Sequence, residues 1–375
     1  MTPDGSRLAG LRGRWAAARH SPVFWPLLAL VILLLYNIIF TPNFARLEIR
    51  EERAFGSLID ILQNGAPVML LATGMTLVIA VAGIDLSVGS VMALAGAVAA
   101  LLMTEHNQSV PAAIIAALAV ALLVGAWNGV LVTYVGLQPI VATLVMLVMG
   151  RGIALALTQD QKVRFEVPAF EFIGTGAVLG LPVPIFIVVG VALLVLLVLR
   201  KTALGLYIEA VGSNARAARL CGLRVHAIRL LAYSFSGLCA GVAGLIATAD
   251  IKEADVANCG LYLELDAILA VVIGGTALTG GRPYLFGSLV GAVIMQTLTV
   301  MLQMRGVITE HTLIIKAVVA IVVCLLQAHA FDRILRWVPH HFSGGGAIPG
   351  SKRLAPEGNR APTSEDVGHP PTRNP

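Results

Sequence analysis

Charge is scarce in this chain. Only 13% of its 375 residues are Asp, Glu, Lys or Arg, against about 25% in an ordinary globular protein. Aromatic residues are few, at 6%. The four cysteines, Cys221, Cys239, Cys259 and Cys324, include no CxxC pair, which argues against a zinc site or a disulfide framework. The dipeptide Gly-Lys never occurs. Without a G-x-x-x-x-G-K-[ST] loop, the chain lacks the usual means of cradling nucleotide phosphates. His20, His106, His226, His311 and His329 are scattered, and His340 and His341 follow the last apolar run. No His–carboxylate or Ser–His spacing marks an active site. A non-catalytic protein is expected, with no metal and no cofactor. A membrane enzyme or scaffold is the competing reading, and it would need a site assembled only in space.

Hydrophobic residues make up 57% of the chain, and the mean hydropathy is +0.86. No charged residue interrupts 107–150, and further uncharged runs cover 66–84, 86–104, 183–199, 230–249 and 283–304. A helix crossing a hydrocarbon core of ~30 Å needs about 20 apolar residues. Spans must be helices or closed barrels, because lipid tolerates no unsatisfied backbone. Barrel strands would alternate in short segments, whereas these runs are continuous. The fold class is an all-α polytopic membrane protein.

Ten spans are predicted: 22–40, 66–83, 86–103, 111–131, 139–157, 181–199, 227–249, 266–280, 284–303 and 312–328. An eight-span arrangement with one re-entrant pair is the alternative. The run 22–40 is too long for a signal-peptide core and reads as an uncleaved first span. Three segments hold most of the 26 basic residues: the N-terminal tail 1–21 (Arg7, Arg12, Arg14, Arg19), the segment 200–229, and the chain after Gln327. Ten spans place all three on the cytoplasmic side, as Lys/Arg bias requires. The charge of +5 thus follows topology and does not point to nucleic acid. The membrane-spanning body is 22–328; the Gly-, Pro- and charge-rich stretch 329–375 is expected to be a disordered cytoplasmic tail. On the outer side, 55–62 reads as a short amphipathic interfacial piece, 158–180 as polar, and 250–264 as acidic.

Two glycine breaks resemble each other. Residues 83–89, Gly-Ile-Asp-Leu-Ser-Val-Gly, and 275–281, Gly-Thr-Ala-Leu-Thr-Gly-Gly, share G-x-x-L-[ST]-x-G between apolar half-spans. Transporters use discontinuous helices near a substrate path; chance similarity among glycine-rich apolar segments is the plainer alternative. Asp85 begins a helix at the first break, which suits cap or turn duty; proton coupling is the alternative for an intramembrane carboxylate. Arg151 and Lys316 are expected to snorkel or to form internal ion pairs. In 200–229, Ser213 or Asn214 can cap a short basic helix that Gly222 ends. That helix is either a docking element or a solvated positive-inside loop.

These residues also resemble a known family. Gly74-Met75-Thr76-Leu77-Val78-Ile79 with the break at 83–90, Ile273-Gly274-Gly275-Thr276, Gly280-Gly281-Arg282 and the glycine-spaced 286–297 are similar to ribose-type ABC sugar permeases. Gly212-Ser213-Asn214 through Ala217-Ala218-Arg219-Leu220-Cys221-Gly222 resembles the family's coupling segment, with Arg216 where Glu is common. The resemblance spans about residues 25–328, and 254–268 looks closest to galactofuranose-type permeases. It implies a bacterial inner-membrane importer of a monosaccharide such as galactofuranose or ribose. The implied partners are a second permease chain, identical or paralogous, an ABC ATPase subunit docked on the coupling segment, and a periplasmic sugar-binding protein. Ser213, Asn214, Arg216, Ala217, Ala218, Arg219 and Gly222 are the expected coupling residues. Polar residues in or beside apolar spans are the candidate sugar path: Gln63, Asn64, Thr73, Asp85, Ser87, Asn128, Gln138, Thr143, Thr276, Thr279 and Gln296. For each, a hydrogen bond within the bundle is the alternative duty. An ion-coupled carrier driven through Asp85 is the alternative function.

Overall fold

In lipid, backbone hydrogen bonds must close within the chain, and the computed structural model closes them in helices. It describes residues 24–41, 44, 46, 48–50 and 53–327. The tails 1–21 and 329–375, with their expected cytoplasmic placement, lie outside the described residues.

The first helix is α1, Phe24–Phe40. A hairpin of β1, Glu48–Arg50, and β2, Arg53–Phe55, follows. Then come α2, Ser57–Ala80, α3, Val88–Thr104, and α4, Val110–Val130. A π turn, Leu131–Val135, extends α4 and stops on left-handed Gly136. Next are α5, Pro139–Leu157, β3, Val163–Arg164, and α6, Pro168–Thr175. The hairpin of β4, Ala177–Val178, and β5, Leu181–Pro182, leads into α7, Val183–Lys201. Two short helices follow, α8, Ala203–Ser213, and α9, Ala215–Leu220. The last elements are α10, Val225–Ile251, β6, Glu253–Ala254, α11, Leu263–Ile273, α12, Leu285–Met304, and α13, Thr309–Gln327. Proline opens α4, α5, α6 and α7 in the first turn, where its missing N–H costs nothing.

The centre of the bundle is α10, packed on α2, α3 and α4. It approaches α4 closely where Gly237 faces Gly125; a Cβ on either would strike the other's backbone. Small residues allow such contact where lipid supplies no hydrophobic drive between helices. The outer faces of α5 and α7 present Val141, Leu144, Val148, Leu193 and Leu197, as a lipid-facing surface should. Helices α2 and α10 run antiparallel: Gln63 meets Asp250 near one end, and Gly74 packs on Ser236 and Cys239 further along.

Two expectations need correction. The piece 55–62 is not a separate interfacial element, because α2 runs unbroken from Ser57 through Pro67 to Ala80. The eighth predicted span, 266–280, is helical only in α11, whose 11 residues reach about 16 Å, half a hydrocarbon core. Among the described residues six helices are long and apolar enough to cross a membrane: α2, α4 with its π turn, α5, α7, α10 and α12. Helices α1 and α3 are apolar but have 17 residues each.

The half-helix α11 is tied to α13 by a buried ion pair, Lys316 Nζ to Asp266 Oδ2 at 2.7 Å. Removing one partner strands the other in low dielectric. Lys316→Met should lower unfolding stability by about 3–5 kcal/mol, and Lys316→Met with Asp266→Met should recover most of it. Denaturation of the detergent-solubilised variants checks this; no recovery in the double variant would mean that charge is not what joins the helices.

Candidate functional site

Three places bring polar chemistry together along α2. The first is a backbone junction at the end of the bundle that carries α8 and α9. The amide of Gly281 donates to the carbonyl of Ala80 at 2.9 Å, so the second glycine break is bonded to the end of α2. Gly212, near the end of α8, fits between them, and a Cβ there would collide with the Ala80 carbonyl and the Gly281 amide. Gly280 packs on Ala82 and on the Gly212 carbonyl. The second break, the chain at the end of α2 and α8 thus meet at their backbones.

The second is a buried hub at the first break. Asp85 Oδ1 accepts from the Ser87 amide at 3.1 Å and from Ser87 Oγ at 2.6 Å, and Oδ2 accepts from Ser236 Oγ at 2.9 Å. Asn128 Nδ2 donates to Ser87 Oγ at 2.7 Å. The carboxylate therefore fixes the start of α3 against α10 and α4. Thr143 Oγ1 donates to Ile84 O at 3.3 Å and to Pro139 O at 2.9 Å.

The third is a cavity of about 460 Å³ at the opposite end. Gln63, Asn64 and Gln296 line it, together with Asp250, Asn258, Met92 and Leu263. Gln63 Nε2 donates to Asp250 Oδ1 at 3.1 Å. Its rim is the loop after α10, held by Arg151, which donates to the carbonyls of Val256 at 2.7 Å, Ala257 at 3.2 Å and Cys259 at 3.2 Å. The loop turns inward far enough for Gly260 to touch the backbone of Gly89 at the start of α3. Its base pairs with β3, Val163 opposite Ala254 and Arg164 opposite Glu253.

A family model described as the permease component of a branched-chain amino acid transport system matches residues 57–324. The galactofuranose transporter permease protein YtfT of Escherichia coli (strain K12) is 48% identical over 84% of this chain and 93% of its own. The fructose import permease protein FruF of Bifidobacterium longum (strain NCC 2705) is 44% identical over 82% and 88%. The ribose import permease protein RbsC of Escherichia coli (strain K12) is 40% identical over 80% and 92%. The chain belongs to this permease family.

In this permease the eleven path candidates separate. Gln63, Asn64 and Gln296 gather in the cavity. Asp85, Ser87, Asn128 and Thr143 form or adjoin the hub. Thr73 donates to Met69 O at 2.8 Å within its own helix. Thr276 Oγ1 accepts from the Tyr284 amide at 3.0 Å, closing the second break. Gln138 and Thr279 are exposed. In the segment 213–222 Asn214, not Ser213, is the cap: its Oδ1 accepts from the amides of Arg216 and Ala217 at 3.1 and 3.0 Å, while Ser213 Oγ donates back to Glu209 O. Arg216, Ala217, Arg219 and Gly222 are exposed and Ala218 is buried. The sequence reading missed Ser236, Asp250 and Asn258. Only the acidic character of 250–264 hinted at the last element of the cavity. Lys316 forms its ion pair, but Arg151 binds three carbonyls, which a single sequence could not reveal.

The loop base is an ionic clamp. Lys162 Nζ lies 2.7 Å from Asp255 and 3.3 Å from Glu253, and Arg164 Nε lies 3.0 Å from Glu253. Burial alone would raise Asp255, but hydrogen bonds from Lys162 and Asn258 outweigh it and hold the carboxyl below the usual range. Hydrogen bonds from Arg164, then Lys162, lower Glu253. Asp255, then Glu253, raise Lys162. The depressed carboxyls contribute fully above about pH 4 and lose that contribution as pH falls through their folded values. The raised Lys162 contributes fully below about pH 10.4 and loses it as pH rises through its folded value. Amide protection at β3 and β6 should therefore persist at pH 7 and fall below about pH 4. Lys162→Met should weaken it at pH 7; protection indifferent to both changes would remove the clamp.

Proposed function

We propose that this chain is the transmembrane permease subunit of an ATP-driven importer for a monosaccharide, a pentose or hexose. The observation that carries the reading is its similarity, over most of each chain, to permeases named for galactofuranose, fructose and ribose. Those relatives favour it over an ion-coupled carrier driven through Asp85. The missing phosphate loop supports an external ATPase subunit. Two permease chains, identical or paralogous, form the pore in the bacterial inner membrane, with termini and residues 200–229 in the cytoplasm. A periplasmic binding protein delivers the sugar. The ATPase docks on Ser213–Gly222, and its displacement reaches both glycine breaks through Gly212. The permease body is 22–328.

Deleting the ATPase subunit should abolish concentrative sugar uptake while the permease still inserts in the membrane; uptake that persists rules out this function. Reversing charge at Arg216 and Arg219, both exposed, should impair ATPase co-purification more than insertion. Gly212→Val should leave co-purification intact but lower transport by an order of magnitude or more. Transport at the wild-type rate in Gly212→Val would break the link between docking segment and breaks.

A further inference from the structure

We propose that the cavity between α2, α3, α10 and α12 is a monosaccharide subsite contained within a single permease chain. This rests on the sugar-importer reading and adds where, and by which side chains, sugar is held.

The volume of about 460 Å³ lies within the range of small-molecule sites, about 300–1,000 Å³. Four carboxamides converge on it: Gln63 and Asn64 from α2, Gln296 from α12 and Asn258 from the rim loop. Carboxamides donate and accept at once, which is what a hydroxyl, itself donor and acceptor, requires. Met92, Val68 and Leu263 supply an apolar wall for the C–H face of a ring.

Charge selects against anions. Among the described residues no Lys, Arg or His lines the cavity. The start of α11, whose dipole favours an anion, carries Glu264 and Asp266 in its first turn. Among the described residues a phosphorylated sugar or a free carboxylate therefore meets only cations already paired with Glu253 and Asp255, whereas a neutral polyol needs none. Glu253 and Asp255 at the rim are already paired with Lys162 and Arg164, and Asp250 is held by Gln63. The carboxylates are thus fixed acceptors and do not gather a cation.

The test uses the whole importer, permease with ATPase and loaded binding protein, in liposomes. Uptake of D-ribose, D-fructose and D-galactose is measured, and the sugar taken up by the wild type is carried forward. Gln296→Leu, and Asn64→Trp at the exposed mouth, should each lower uptake at least tenfold. Each variant permease should co-purify with the ATPase subunit as the wild type does, showing an assembled complex. With Cys221 and Cys259 replaced by Ser, Asn64→Cys should be modified more slowly by a charged thiol reagent when that sugar is present. Glucose 6-phosphate should not protect. Wild-type uptake in both variants, or labelling unaffected by the sugar, overturns the subsite and leaves the importer reading standing. A wild-type importer that takes up no monosaccharide overturns both.

Discussion

A helix that stops inside a bilayer leaves N–H and C=O groups that water cannot reach, and this constraint organises the structure. The chain breaks its helices within the bundle and then satisfies the exposed groups one by one. At the first break a carboxylate does so, with Asp85 taking the Ser87 amide. At the second, Thr276 takes the Tyr284 amide and Ala80 takes the Gly281 amide. At the inward loop Arg151 supplies donors to three carbonyls. A buried carboxylate is costly in this setting, and Asp85 is held there by the Ser87 amide, Ser87 Oγ and Ser236 Oγ.

The likeness of the two breaks is therefore one of sequence, not of backbone or polar chemistry: Gly275, Gly280 and Gly281 have positive φ, whereas Gly83 and Gly89 do not and the positive φ falls on Ala82. Aligning 83–89 with 275–281 sets Asp85 against Ala277 and Ser87 against Thr279. Ser87 is buried in the hub, whereas Thr279 is exposed. The residue that closes the second break, Thr276, aligns with Ile84, which contributes only its carbonyl, to Thr143 and Tyr233. The same glycine spacing thus marks two differently built turns, and the neighbours in each find local partners by whatever donors or acceptors they carry.

This explains how much could be read from the sequence. Uncharged runs mark helices because lipid exclusion of charge is local along the chain. The long α2, α5, α7, α10 and α12 were therefore legible. The half-helix α11 was not, because the Gly-Gly-Thr-Ala-Leu-Thr-Gly run after Ile273 carries no charge and so prolonged the uncharged stretch, although it is less apolar than what precedes it. Hydropathy reports surroundings and says nothing of where hydrogen bonding stops. Partners distant in sequence were equally hidden: Arg151 lies about a hundred residues from the loop it holds, as the separations of its bonds show. Thr73 and Thr143 looked like path groups, but a helical threonine hydroxyl reaches the carbonyl four residues back. Gln63, Asn64 and Gln296 escape that fate because their longer amides extend past their own helices.

The geometry of α2 joins the two ends. It is one helix of 24 residues, about 36 Å long, with Gln63 and Asn64 at the cavity and Ala80 at the junction with Gly212 and Gly281. Its last two-thirds are almost wholly buried, so it cannot bend sideways without displacing α10 or α12. Thr76 is fastened to Ser288 of α12 by a hydroxyl bond of 2.8 Å. Pro67, in the cavity wall, withholds one helical donor and makes that turn the softest point of the rod. One continuous, buried helix therefore carries both the backbone junction at Ala80 and, about two to three turns from its other end, the cavity wall at Gln63, Asn64 and Pro67.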